Sequence, residues 1–524
     1  MGGGEIARVW ERNRMSDVVA PAGVAVPGTA PAALGPRPRI GMGTRALYGF
    51  GSIAFGVKDN GFRVFLLLFY NQVVGLPAAM VSTAIMVAML IDCLIDPLVG
   101  QLSDNLKSRW GRRHPFMYAS ALPVALSYLL LWNPPFHWGH TALFWYLVVV
   151  AVIVRSFITL YEIPSSSLVS EMTDDYDERT KIVGWRYFFA WWGGLALTVI
   201  MFWALLKPTA EYPVGQLNRD GYATYGYVSA VLMFGSILIS ALGTHRFIPW
   251  LRKPPEKVSS VGGQLREMAQ TLKNRSFVAI ALVGLFGAIA QGVGFSLAFY
   301  FATYFWGLSS FWTGVLVLDS FISSSIALMA APYLSKRSSK KTMGTLLLAA
   351  SVLTGFIPLL LRLMGWFPGN EDLIGGGPVP AMVPWLFLDG VIRGILGITA
   401  AILITAMLAD VVEDAELRTG RRSEGLFFAF TSLIQKAVSG VGVMVAGLLL
   451  TVVEFPMGAK PSEVDPTVIR NLALVYMPTL AVLYGAAVVV MQAYRITRES
   501  HAETVRVLAA KAQAAEDAST SQIP

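Results

Sequence analysis

A chain of 524 residues that is 55% hydrophobic and only 14% charged falls well below the roughly 25% charge of a soluble domain. Its mean hydropathy of +0.57 excludes a soluble globular enzyme, and it excludes disorder, which needs a polar and highly charged chain. Lys and Arg number 41 against 33 Asp and Glu, a net +8; on a chain that crosses a membrane many times, this surplus reports basic loops rather than nucleic-acid binding.

Residues 1–40 are rich in Pro, Ala and Gly and lack an apolar run long enough for a secretory signal. They read as a disordered cytoplasmic arm, with Met15 as an alternative start. Twelve apolar stretches follow, centred near residues 60, 91, 124, 154, 195, 236, 290, 322, 353, 396, 438 and 483. Each is able to cross a hydrocarbon core of about 30 Å with about 20 residues, and runs of that length are helices. Cys93 is the one cysteine, so no intrachain disulfide can form. Residues 497–524 are Ala-rich with mixed charges and read as a solvated, helix-compatible cytoplasmic tail.

Alternate loops carry the positive charge. Lys107, Arg109, Arg112 and Arg113 come first, then Arg179 and Lys181, then the run from Arg246 to Arg275. Lys336, Arg337, Lys340 and Lys341, and later Arg418, Arg421 and Arg422, lie on the same side, whereas loops 71–78, 133–141 and 306–311 contain no Lys or Arg. The positive-inside rule then makes both termini cytoplasmic in a multi-pass protein of the cell (inner) membrane. A Pro-, Ser- and Gly-containing central cytoplasmic loop, 249–275, separates a six-helix bundle at 41–248 from a second at 276–496.

The halves resemble each other. Glu171, Asp174, Asp175, Asp177, Arg179 and Thr180 recur 239 residues later as Asp410, Glu413, Asp414, Glu416, Arg418 and Thr419, each set following the fourth span of its half. The expected fold is therefore all-α, with twelve transmembrane helices in two pseudo-symmetric six-helix bundles. This is similar to the architecture of the major facilitator superfamily, where substrate sits at the midplane between the halves.

An ionisable residue inside a span is costly unless it faces a cavity or a partner, so each marks a candidate site. Span 1 carries Lys58, Asp59 and Arg63; span 2, Asp92 and Asp96; span 4, Arg155 and Glu162; span 5, Arg186. The second half has Asp319, Asp389, Arg393 and Lys436. Asp92 and Asp96 are four apart, hence on one helix face, where two carboxylates repel. They must share a proton, meet a basic side chain or bind a metal cation such as Na⁺. Thr159 and Glu162, three apart on span 4, add oxygens to such a site. The competing reading is a fixed network in which Arg155, Arg186 or Lys436 neutralises the acids. For Asp389 with Arg393, and for Asp59 with Arg63, the four-residue spacing also favours local pairing.

After span 2 comes Gly100-x-x-x-Asp104-x6-Gly111-Arg112-Arg113-His114-Pro115. Its glycines permit tight turning, and Asp104 with the two arginines can form ion pairs that act as gate and scaffold on the inner face. Glu171, Asp175 and Arg179, with their repeats Asp410, Asp414 and Arg418, are the other gating candidates, although solvated loop charges contribute little.

Taken in order, Tyr48-Gly49-Phe50-Gly51 with Lys58-Asp59, Asp92-x-x-x-Asp96-Pro97-x-x-Gly100, Glu162-Ile163-Pro164, Arg179-Thr180 with Arg186, Asp410 through Gly420, and Glu424 with Lys436 resemble the glycoside-pentoside-hexuronide:cation symporters, the melibiose permease-like family, over residues 44–495. The resemblance implies uptake driven by Na⁺, Li⁺ or H⁺, with the cation at Asp92 and Asp96 assisted by Thr159. It implies a solute site at Asp59, Glu162 and Arg186, with Lys436 near both. The sequence departs from the family pattern in carrying Ile95 for a polar residue before the second acid, Ser166 and Ala401 for aromatic residues, and Arg63 as an added charge. The solute site therefore reads as Asp59, Arg63, Glu162, Ser166, Arg186 and Lys436, wider and differently charged than a galactoside pocket.

The expected function is a symporter that couples inward movement of Na⁺ or H⁺ to uptake of a sugar, glycoside or related polar solute by alternating access, acting as a monomer among membrane lipids. The alternative is a cation-coupled symporter of a lysolipid or other amphiphile, which a cavity open sideways to lipid would favour. An integral-membrane transferase would need a metal cluster or nucleophile at the membrane surface. Neither His/Cys/Asp ligand spacing nor G-x-S-x-G is present, and Cys93 reads as packing. A receptor or scaffold would tolerate neutralising every buried carboxylate.

Overall fold

The computed structural model describes residues 38–173, 175–251, 275–369, 371–419 and 424–520. Asp174, most of the central loop and the side chain of Arg418 lie outside the described residues. The chain divides into Met1–Pro38 and Arg39–Pro524, and the second unit holds every span.

Among the described residues there is no β-strand. A lipid core leaves no water for unpaired peptide groups, and a helix satisfies them within one segment. Among the described residues ten helices are long and apolar enough to cross a membrane. They are Ala78–Asn105 (span 2), His114–Trp132 (span 3), His140–Met172 (span 4), Asp177–Leu205 (span 5), Arg219–His245 (span 6), Arg275–Phe305 (span 7), Ser310–Ser335 (span 8), Lys340–Leu363 (span 9), Met382–Leu417 (span 10) and Pro466–Met491 (span 12). Span 11 is Glu424–Val452, of which Val438–Val452 is the described apolar part. Span 1 is built in pieces, Met42–Phe50, Ser52–Asn60 and Leu66–Leu68, interrupted by wider π turns at Gly61–Phe65 and Phe69–Val73. Every expected centre falls inside its helix.

The duplication is visible in the packing. Spans 1·5, 1·6, 2·4, 3·4 and 3·6 pack together in the first half, and each pair recurs six spans later as 7·11, 7·12, 8·10, 9·10 and 9·12. Span 1 crosses span 5 where small residues let the backbones meet: a Cβ at Gly56 would overlap the carbonyl of Ala190, and one at Gly194 would lie 2.8 Å from the carbonyl oxygen of Gly56.

Between the halves, span 2 packs on span 11 and, by the same symmetry, span 5 on span 8. The two seams differ. Gly447 meets Ala78 and Ser82, Gly440 meets Met86 and Met89, and Lys436 meets Asp96, so spans 2 and 11 stay together over much of their length. Span 5 is held by the first two turns of span 8, Ser310–Val317, where Gly314 lies under Phe202 and Trp203. Trp192 touches Phe321 with ring centroids 4.7 Å apart.

Hydrogen bonds close the end away from the basic loops. Tyr304 donates to Gln72 Oε1 at 3.0 Å and Tyr300 to Asn71 Oδ1 at 2.8 Å, Gln72 Nε2 donates to the carbonyl of Pro456 at 3.0 Å, and Gln216 Nε2 to that of Leu308 at 2.6 Å. The tail is helical, Arg498–Thr520, but it differs from the expectation of a solvated segment in packing on span 10 with Thr504 buried.

Candidate functional site

Spans 1, 2, 4, 5 and 11 bring the membrane-depth charges of the first half together with Lys436. On span 2 the two acids each present one oxygen to span 4 and one to a basic group. Thr159 donates its hydroxyl towards Asp92 Oδ1 at 2.9 Å and Asp96 Oδ1 at 3.2 Å. Arg155 Nη2 lies 2.7 Å from Asp92 Oδ2, with both side chains at most 4% exposed. Lys436 Nζ lies 2.7 Å from Asp96 Oδ2, with the side chains 28% and 17% exposed. The first pair is therefore sealed inside one half, whereas the second joins the halves at an accessible place. In this conformation both acids have basic partners, the arrangement set against a cation site when the sequence is read alone.

Helix prolines flank both acidic groups: Pro97 follows Asp96 directly, and Pro164 stands two residues after Glu162. A proline lacks the amide hydrogen that would bond one turn back, so it loosens the helix where the polar groups gather.

The expected solute residues line span 1 and the facing turns of spans 4 and 5. Asp59 Oδ2 sits 3.2 Å from Arg63 Nε, the local pairing expected from their spacing, while Lys58 Nζ lies 3.9 Å from Asp59 Oδ1. Arg63 falls within the π turn that begins at Gly61, where a Cβ would overlap the Tyr128 hydroxyl. Such a turn re-aims side chains without ending the helix. Glu162 Oε1 and Arg186 Nη2 are 4.0 Å apart. Arg186 also donates to the Glu162 carbonyl and to the Tyr48 hydroxyl, each at 3.4 Å. These long contacts leave donors and acceptors suited to vicinal hydroxyls. Ser166 is exposed and donates to the carbonyl of Ile163 at 2.8 Å.

Basic groups outnumber acidic ones here. Lys58, Arg63, Arg155, Arg186 and Lys436 face Asp59, Asp92, Asp96 and Glu162. Arg155 and Lys58 lay outside the expected site, yet Arg155 is four residues before Thr159 and so on its face, a signal the spacing carried. Among the described residues no group of three or more His, Cys, Asp or Glu is placed to hold a metal ion.

The charged clusters at the basic end are duplicated. Glu171 Oε1, almost fully buried, takes Arg112 Nη2 at 2.7 Å and Arg113 Nε at 3.0 Å, and Asp104 Oδ1 takes Arg113 Nη2 at 2.6 Å. Gly111 makes this possible with φ +72°, a left-handed turn that favours glycine. In the second half Asp410 Oδ1 takes Lys340 Nζ at 2.6 Å, and His501 Nε2 of the tail lies 3.4 Å from it and 2.7 Å from Glu413 Oε2. Each of these ion pairs stays inside its own half. Asp175 caps the helix of span 5, accepting from the amides of Asp177 and Glu178 at 2.8 and 3.2 Å. Arg179 Nε donates to the carbonyl of Thr173 at 2.9 Å. Asp414 lies one turn along span 10 from Asp410. Unforeseen was the pair of Arg45 Nη2 with Glu178 Oε1 at 2.7 Å.

Known proteins share this organisation. A family described as MFS/sugar transport protein matches residues 47–498. An uncharacterized symporter, sll1374, of Synechocystis sp. is 26% identical over 90% of this chain and 97% of its own length. The isoprimeverose transporter of Lactiplantibacillus pentosus is 24% identical over 82% of this chain and 84% of its own. Among solved structures, a D-xylose-proton symporter superposes with a TM-score of 0.55 over 85% of this chain and 96% of its own, at 13% identity, a likeness of fold.

Proposed function

We propose, from the premise that this chain belongs to the MFS/sugar transport protein family and is a multi-pass membrane transporter rather than an enzyme, that it couples a monovalent cation, Na⁺ or H⁺, to uptake of a sugar, glycoside or related polar solute. The observation that carries this reading is the Asp92–Thr159–Asp96 group with Lys436 Nζ on its open side. Lys436 stands where a travelling cation would stand, 2.7 Å from Asp96. A cation that reaches the two carboxylates releases Lys436, and with it a bond between the halves. If Lys436 then turns to Glu162 and the solute, cation and solute bind better together than alone. For Na⁺ the donors would be Asp92, Asp96 and Thr159; for H⁺, a carboxylate oxygen.

In this account Asp59, Arg63, Glu162, Ser166, Arg186 and Lys436 hold the solute. Both termini are cytoplasmic, so the closed end faces outward and the conformation is the inward-open one. The Arg112, Arg113, Glu171, Asp104 cluster and its counterpart at Asp410 keep each half rigid as the halves rock. The protein works as a monomer, with lipids around it and without nucleic acid. Each monovalent charge carried inward gains about 2.3 kcal/mol per 100 mV. A panel of sugars and glycosides offered to vesicles under a Na⁺ gradient alone and a pH gradient alone tests the reading. Accumulation of one solute under one of the two gradients supports it, and none under either overturns it.

One observation favours an amphiphile as solute. The seam between spans 5 and 8 is held near the closed end, and further along span 8 Leu328, Met329 and Tyr333 are exposed at 65%, 80% and 53%. An opening there would admit an acyl chain from the side. Competition of sugar uptake by lysolipid separates the two.

A further inference from the structure

The acids at membrane depth in the described residues are not all matched. Asp59, Asp92, Asp96, Glu162 and Asp389 each have a Lys or Arg nitrogen within 4.0 Å. Asp319 has none among the described residues; its hydrogen bond comes from the hydroxyl of the next residue, Ser320, to Oδ1 at 2.8 Å. It stands nine residues along span 8 from Ser310, about 14 Å in at 1.5 Å per residue.

The elements packed on span 8 offer no spare cation at that depth. Span 10 brings Asp389 and Arg393, and Arg393 Nε is 3.7 Å from Asp389 Oδ2, so two carboxylates face one guanidinium. Span 9 has no ionisable side chain between residues 342 and 361, and its Arg362 turns to the carbonyl of Pro368. Span 5 has none between residues 188 and 205. Two ionised carboxylates sharing one guanidinium at membrane depth leave an unbalanced negative charge, which is relieved when one of them takes up a proton.

The backbone of span 10 is shaped around this carboxyl. A Cβ at Gly390 would overlap Asp319 Oδ2, and one turn on, a Cβ at Gly394 would press on the Ser323 side chain. Two glycines one turn apart thus leave a groove that the carboxyl and a serine fill. Oδ1 is occupied by Ser320, so a proton goes to Oδ2, the oxygen lying in the groove.

We propose that Asp319 is a proton-binding site, neutral at pH 7 in this conformation, and that its proton is carried through the transport cycle. The inference rests on the cation-coupled reading above but concerns the half of the molecule which that reading leaves without an ion. A cycle that binds a proton at Asp319 from one side and releases it to the other requires the carboxyl to ionise when spans 8 and 10 rearrange.

Two measurements on the full-length protein test it. Infrared spectra of purified protein at pH 7 are expected to show a protonated-carboxyl carbonyl band that Asp319→Asn removes; no difference between the two spectra overturns the proposal, and this arm needs no transport. In proteoliposomes a gradient of about one pH unit supports roughly tenfold solute accumulation per proton. Asp319→Asn is expected to abolish that accumulation while solute exchange at equilibrium, which moves no net proton, persists. Accumulation equal to the parent's overturns the proposal. If Asp319→Asn also stops exchange, Asp319→Glu, which keeps a protonatable oxygen, must restore both activities, and failure to do so counts against the proposal. A failure of the Asp92 and Asp96 reading would show in variants of those residues and would leave the infrared band in place.

Discussion

Lys436 Nζ lies 2.7 Å from Asp96 Oδ2, and because Lys436 belongs to span 11 and Asp96 to span 2, this ion pair is also a bond between the two halves of the molecule. The lysine is thereby an internal competitor for any cation that comes to the acids of span 2. Lys436→Gln removes the competitor and keeps the polarity. The concentration of cation that half-saturates solute binding is expected to fall roughly tenfold, within the usual 1–3 kcal/mol of a coupling between sites. Titration of solute binding with Na⁺, and separately with pH, checks it; unchanged cation dependence would contradict it.

Asp92 and Arg155 behave differently, since both side chains are almost fully buried within one half. Arg155→Met leaves a buried carboxylate without its partner and is expected to cost about 3–5 kcal/mol. The double variant with Asp92→Asn should recover most of that loss. Chemical unfolding in detergent measures both, and a double variant no more stable than the single one would show that the pair is not the cause.

Gly447 is a contact that a side chain would break. Its Cβ would lie 2.8 Å from the carbonyl oxygen of Ala78 and 2.5 Å from Ser82 Cβ. Gly447→Val is expected to push spans 2 and 11 apart, with a loss of about 1–3 kcal/mol from overpacking. Gly485→Ala, where nothing lies within 4 Å, serves as a control that should leave both stability and transport unchanged.

The duplicated clusters should differ in weight. Glu171 and its two arginines are at most 10% exposed, whereas Lys340 and His501, the partners of Asp410, are each 28% exposed. Glu171→Gln is therefore expected to cost about 3 kcal/mol, as for a buried pair, and Asp410→Asn about 1 kcal/mol, as for a pair that water screens. Thermal unfolding of the two variants side by side gives the order.

The spans, their two-fold repetition and the positions of the charges could be read from the sequence because apolar length and loop charge act locally. Asp59 with Arg63 and Asp389 with Arg393 were legible for the same reason, since four residues on a helix set the distance between them. The choice of Arg155 for Asp92 and Lys436 for Asp96 was not, because it depends on how each helix is rotated about its axis against a neighbour. Nor was the docked tail: the sequence of Arg498–Thr520 is too polar to announce a buried side, and His501 becomes meaningful only beside Glu413. The π turns of span 1 leave no pattern of their own, although they place Arg63 where it stands.

The measurement closest to the centre of this account is solute accumulation by vesicles containing Asp96→Asn, with inward Na⁺ and pH gradients applied one at a time. If the acids of span 2 receive the coupling ion, this variant still equilibrates solute across the membrane but concentrates it under neither gradient. Accumulation as high as that of the parent protein would mean that the ion travels by another route.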